Sequence, residues 1–124
     1  MSYEMTIPHL PDMRLSMNGR NNLYYHVRND LVVTERKYAW GSATEINPNA
    51  TPIDPAEVHF IFTVISYRRR DVDGLQSAAK AWLDGLVDAH WLQDDSFPHI
   101  VKIVTEVRKD KKESTLIRVQ EKKP

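Results

Sequence analysis

The chain has 124 residues, 41% of them apolar, with 17 Lys plus Arg against 17 Asp plus Glu and no cysteine. This balance describes one globular domain spanning 1–124 and excludes a disordered or fibrous chain. Lack of cysteine excludes disulfides and thiolate metal sites, and no apolar run of about 18 residues is present to span a membrane.

In chain order, the opening MSYEMTIPHL has neither a basic n-region nor an apolar h-region, so no secretion signal is expected. Within it, YEMTIP (3–8) alternates weakly and suggests a first strand. SMNGRNN (16–22) is turn chemistry, and a first helix is expected between Val27 and Glu45, with Val27, Leu31, Thr34 and Tyr38 as its one-sided stripe. NPNATPIDP (47–55), with prolines at 48, 52 and 55, predicts a surface loop. AEVHFIFTVISY (56–67) is the clearest strand, and because both of its faces are largely apolar it is expected to be central.

A second helix follows, with Leu75, Ala78, Ala79, Trp82, Leu83, Leu86 and Val87 on one side and Gln76, Lys80, Asp84 and Asp88 on the other. HWLQDDSFP (90–98) is a connection. HIVKIVTEV (99–107) and STLIRVQE (114–121) are two strands joined by the charged turn RKDKKE. The expected fold is therefore α+β and two-layered, in the order strand, helix, strand, helix, strand, strand, with helices on one face of a mixed sheet.

Net charge is zero, but charge is segregated. Basic residues gather at RRR (68–70), RKDKK (108–112) and KK (122–123), and acidic ones near the middle of the chain. A basic rim around an acidic pocket can steer a polyanion, because fields act over about 8 Å at physiological salt. In an extended segment Asp71 and Asp73 would point the same way, and two adjacent carboxylates are costly unless a cation neutralises them. Oxygen-only ligands select Mg²⁺ or Mn²⁺, and none of the five histidines stands in a zinc pattern.

QDDS (93–96) brings a second acidic pair, Asp94 and Asp95, which the return of the chain to the sheet can carry toward the first. Lys80, seven residues after Asp73, comes back to within about 20° of its helical face, roughly 10 Å along the axis. Three carboxylates around a hard cation suit phosphodiester hydrolysis. Plainer roles stand beside these: Asp73 as the N-cap of a D-G-L-Q capping box, Asp71 paired with its arginine neighbours, Asp94 and Asp95 as a polar turn, and Lys80 paired with Asp84 at i+4.

Taken together, RRRDVDGLQSAAKAWLDGLVDAHWLQDD (68–95) resembles the signature of the RusA family of Holliday junction resolvases. That signature has basic residues, D-x-D-N-L, a helix bearing a lysine and a D-A/G-L step, and a D-D pair before a strand. The resemblance implies a homodimeric, Mg²⁺-dependent (or Mn²⁺-dependent) endonuclease that nicks opposed strands of a four-way DNA junction, in a bacterial or phage-infected cytoplasm. By position it implies Asp71, Asp73 and Asp95 as metal ligands, Lys80 as the catalytic lysine, and Arg68, Arg69 and Arg70 as contacts to the DNA backbone. Gly74 stands where the family has Asn, and Ser77 stands at the commonest register of the family lysine. The alternatives are a DNA-binding protein with this fold and no cleavage, and an enzyme acting on another phosphoester. The second lacks a Gly-rich phosphate loop.

Overall fold

The computed structural model describes residues 1–16, 24–66 and 72–122. Its elements, in order, are β1 (Ser2–Ile7), a 3₁₀ turn (Met13–Leu15), α1 (Tyr25–Ile46), β2 (Ala56–Val64), α2 (Val72–Ala78), α3 (Lys80–Asp88), β3 (Ile100–Lys109) and β4 (Ser114–Glu121). The four strands form one mixed sheet in the order β1-β4-β2-β3, so the fold is α+β. β2 runs parallel to β3 and antiparallel to β4, and β4 is antiparallel to β1.

The β2 pattern sets the architecture. Val58, Phe60, Phe62 and Val64 are buried, whereas His59, Ile61 and Thr63 on the alternate face are half-buried. In register with the buried face lie Val119, Ile117 and Thr115 of β4, followed by Met5 and Ile7 of β1. Val58, Phe60, Phe62, Val119, Ile117, Met5 and Ile7 join Ala39 and Ala43 of α1 and Leu75, Trp82, Leu83 and Leu86 of α2 and α3 in one core cluster. One sheet face is thus packed on helices. β2 is central in the sheet, as expected, but its second face stays partly open.

Two expectations are corrected. The stripe of α1 is not Val27, Leu31, Thr34 and Tyr38: Val27 and Tyr38 are exposed, and the buried residues are Ala39 and Ala43. The reason is a close helix crossing. A Cβ added at Gly85 of α3 would lie 2.5 Å from the Arg36 carbonyl oxygen and 2.7 Å from Ala39 Cβ, so only small residues fit there. The second correction concerns the helix expected as one piece. It is broken at Ala79 (φ −83°, ψ 0°), whose N–H is shared between the carbonyls of Leu75 and Gln76, 3.2 Å from each.

β3 and β4 are joined by a short turn, yet β2 lies between them. The turn closes over the end of β2, where the Asp110 N–H donates to the Val64 carbonyl at 2.9 Å.

Candidate functional site

Four contacts fix α3, and with it Lys80. The Gly85 crossing sets its distance from α1. The indole N–H of Trp82 donates to Glu35 Oε2 at 2.7 Å, and Arg36 donates to both oxygens of Asp88, Nε at 2.6 Å and Nη2 at 2.8 Å. These groups lie 47 and 52 positions apart in the chain, so no local pattern announces them.

Lys80 opens α3 and projects its ammonium between two carboxylates. Nζ donates to Asp84 Oδ1 at 2.5 Å and to Asp95 Oδ2 at 2.5 Å. The first contact is the helical i+4 pair; the second bridges 15 positions, from the helix to the loop that leads into β3. Partial burial alone would lower the Lys80 pKa, but the two carboxylates outweigh that and raise it. Asp95 moves the other way: the hydrogen bond from Lys80 holds its carboxyl below the ordinary range, against the effect of burial.

The two aspartates of the Asp94–Asp95 pair have different work. Asp94 folds back locally, Oδ1 accepting from the Asp95 N–H and Oδ2 from Ser96 Oγ, each at 2.8 Å. This Asx-type turn uses both Asp94 oxygens and leaves Asp95 directed at Lys80.

Asp73 lies in the first turn of α2 and is exposed. It is not the N-cap, because Val72 before it is already helical. The reciprocal partner of that capping box is engaged elsewhere: Gln76 Oε1 accepts a hydrogen bond from Thr105 Oγ1, tying α2 to β3. Helical backbone at Asp73 also removes the extended alternation on which a shared side for Asp71 and Asp73 was argued. Asp71 and the arginines Arg68, Arg69 and Arg70 lie outside the described residues.

Asp73 and Lys80 meet at a groove of about 420 Å³ between the helices and β3. Phe60, Leu83 and Ile103 form its apolar wall, and Asp73, Gln76, Ser77 and Lys80 its polar one. A smaller cavity of about 140 Å³, lined by Leu15, Val32, Ser77, Ala78, Lys80, Ala81 and Asp84, also borders the lysine. Ser77 borders both cavities, with Oγ donating to the Gly74 carbonyl at 3.1 Å.

Sequence reasoning named Asp73, Lys80 and Asp95 but gave Asp84 only a surface role. The i+4 spacing from Lys80 was its one signal. The structure unites Lys80, Asp84 and Asp95, and places Asp73 on the same groove as Lys80. Among the described residues, no three His, Asp or Glu side chains group closely enough to hold a metal ion. The donor chemistry is nonetheless all oxygen, which suits a hard cation. No family model matches the chain, and no curated protein matches it.

Proposed function

We propose that this protein is a divalent-metal-dependent endodeoxyribonuclease that cuts four-way DNA junctions, working as a homodimer. The observation that carries the reading is the contact between Lys80 and Asp95. Two residues implied as catalytic by their place in the sequence, one on a helix and one in a distant loop, meet at 2.5 Å beside the groove that Asp73 lines.

In this reading Asp73 and Asp95, with Asp71, would hold Mg²⁺ or Mn²⁺. When bound, the metal would offset phosphate charge and supply the Lewis acidity that phosphodiester hydrolysis needs. The protein's own groups do the positioning. Lys80 draws the loop bearing Asp95 onto α3 and presents a cation to a phosphate oxygen at the groove mouth. The wall of Phe60, Leu83 and Ile103 keeps one side of that groove apolar, which strengthens charge interactions within it. Arg68, Arg69 and Arg70 would attract the backbone that the carboxylates alone would repel.

The test is cleavage of a synthetic four-way junction in Mg²⁺ against EDTA, with Asp73→Asn, Asp95→Asn and Lys80→Ala beside the parent and Ser77→Ala as the comparison for the usual lysine register. Metal-dependent cutting that survives only in Ser77→Ala is the expected result. Parental rates in Asp73→Asn would remove the site assignment.

A second reading has its own observation. Lys80 is already paired to two carboxylates, an arrangement that also serves to pin a loop. A junction-binding protein without cleavage would bind the same DNA in a salt-dependent way and cut it in neither metal.

A further inference from the structure

β3 is a sheet edge that no other described strand covers, and its chemistry is complementary to itself. It pairs with β2 on one side only, among the described residues. At ten residues it is longer than the opposite edge, β1, which has six. A long edge exposing both backbone and apolar side chains invites another strand. Val101 and Ile103 are exposed at 37% and 39% on the helix-bearing face of this edge. Lys102 and Glu106 are exposed on the other face, where Lys102 Nζ lies 3.3 Å from Glu57 and Glu106 pairs with Arg108, so a partner strand would extend these pairs across the edge.

We propose that a second copy of this chain pairs here, β3 against β3, antiparallel about a two-fold axis through Val104. A two-fold perpendicular to the sheet keeps each side chain on its own face, so the axis must pass through a residue opposite itself. Centring on Val104 overlaps the strand from Val101 to Val107; Ile100 lies beyond the register shift of β3 and stays in the core beside Ala56. It sets Lys102 opposite the partner subunit's Glu106, twice by symmetry. On the groove face it sets Val101 opposite the partner subunit's Val107, and Ile103 opposite the partner subunit's Thr105.

Neighbouring registers do worse. A centre at Thr105 opposes Lys102 to the partner subunit's Arg108. A centre at Ile103 opposes Lys102 to the partner subunit's Val104 and gives neither Lys102 nor Glu106 an opposite charge across the edge. A centre at Val107 matches Glu106 with the partner subunit's Arg108 but leaves Val101 and Ile103 uncovered. If the edge charges served only to discourage pairing, one sign repeated along the strand would do it. A lysine and a glutamate equally spaced about Val104 attract their own copies instead.

The product is a continuous eight-stranded sheet. The two β2 strands stand three strand spacings apart, about 14 Å, and both grooves open on the same face. The inference deepens the junction-nuclease reading by naming the partner surface and giving two like sites related by the symmetry of the substrate. Its test uses neither DNA nor metal: a dimer that the charge reversals leave unchanged removes this interface and keeps the nuclease reading, whereas a dimer that responds to them stands even if no junction is cut.

The test is sedimentation equilibrium across a dilution series of the full chain, with hydrogen exchange at β3, for the parent, Lys102→Glu, Glu106→Lys and the double exchange. The parent is expected to be a dimer whose β3 amides gain protection as concentration rises. Each single reversal opposes two pairs of like charges and should raise the dimer Kd roughly tenfold or more. The double exchange should bind more tightly than either single reversal, though short of the parent, because the exchanged charges also face Glu57 and Arg108 within the chain. Circular dichroism checks that each variant is folded. A parent that stays monomeric, single reversals that leave the Kd unchanged, or a double exchange no tighter than the single reversals would each overturn the proposal.

Discussion

Gly41 and Gly85 lie inside helices of this protein, and the same substitution should act on them in opposite directions. A Cβ at position 85 would meet the Arg36 carbonyl oxygen at 2.5 Å, Ala39 Cβ at 2.7 Å and the Trp40 nitrogen at 3.0 Å. Comfortable contact is about 3.5 Å, so α1 and α3 would have to separate by nearly 1 Å. Overpacking costs about 1–3 kcal/mol, and two backbone partners that cannot rotate away place this site near the upper figure. Removing glycine from a helix interior returns about 1 kcal/mol. Gly85→Ala should therefore lose about 2 kcal/mol net and lower Tm by roughly 8 °C for a chain of this size. At Gly41 of α1 nothing lies within 4 Å of an added Cβ. Gly41→Ala keeps only the helix gain and should raise Tm by roughly 4 °C. Thermal unfolding followed by circular dichroism reads both. A Gly85→Ala protein as stable as the parent would refute the close crossing, and with it the account of what holds Lys80 in place.

Three further outcomes follow from the ion pairs. Glu57 is held down to about 2, first by His59 and then by Gln120 and Lys102, so its contribution to stability is present above the ordinary carboxylate pKa and lost as pH falls toward 2. Glu57→Gln should flatten the acid limb of a stability-versus-pH curve, and an unchanged limb would contradict the cluster. Arg36→Gln removes a bidentate but half-exposed pair with Asp88, so the loss should be about 0.5–1 kcal/mol and should shrink in high salt. Urea titrations at low and high ionic strength check this. Lys80→Met should let the depressed Asp95 titration move upward toward the ordinary range, read by carboxyl NMR. Because Lys80 is half-exposed, the accompanying loss of stability should stay below about 1 kcal/mol.

Much of the scaffold was legible because it follows from period. The alternation Val58, Phe60, Phe62, Val64 named a strand and its buried face, and Leu75, Trp82, Leu83 and Leu86 named the inner side of the second helix. α1 was legible as a helix but not in its facing. Bulk drew attention to Val27, Leu31 and Tyr38, whereas a tight crossing selects for smallness at Ala39 and Ala43. The break at Ala79 left no mark, since an alanine among alanines has neither a shape nor a charge that signals a bend. Strand order was hidden for another reason: β3 reaches its place beside β2 through a helical crossover, and β4 then occupies the other side.

The Lys80–Asp95 contact sits between these cases. Helical spacing put Lys80 near the face of Asp73, and the two line one groove although the helix breaks between them, because Ala79 departs from helical backbone by a single residue. Between Asp94 and Asp95 the resemblance named Asp95 by position alone; the loop geometry distinguishes the two through hydrogen-bond capacity. Asp94 spends both oxygens on the turn it caps, so Asp95 alone is left to reach across. The turn thus has a consequence beyond its own stability. It delivers one carboxylate of an adjacent pair to the helix and withholds the other, so Asp94→Ala should loosen the approach of Asp95 to Lys80 although residue 94 touches neither the lysine nor the groove.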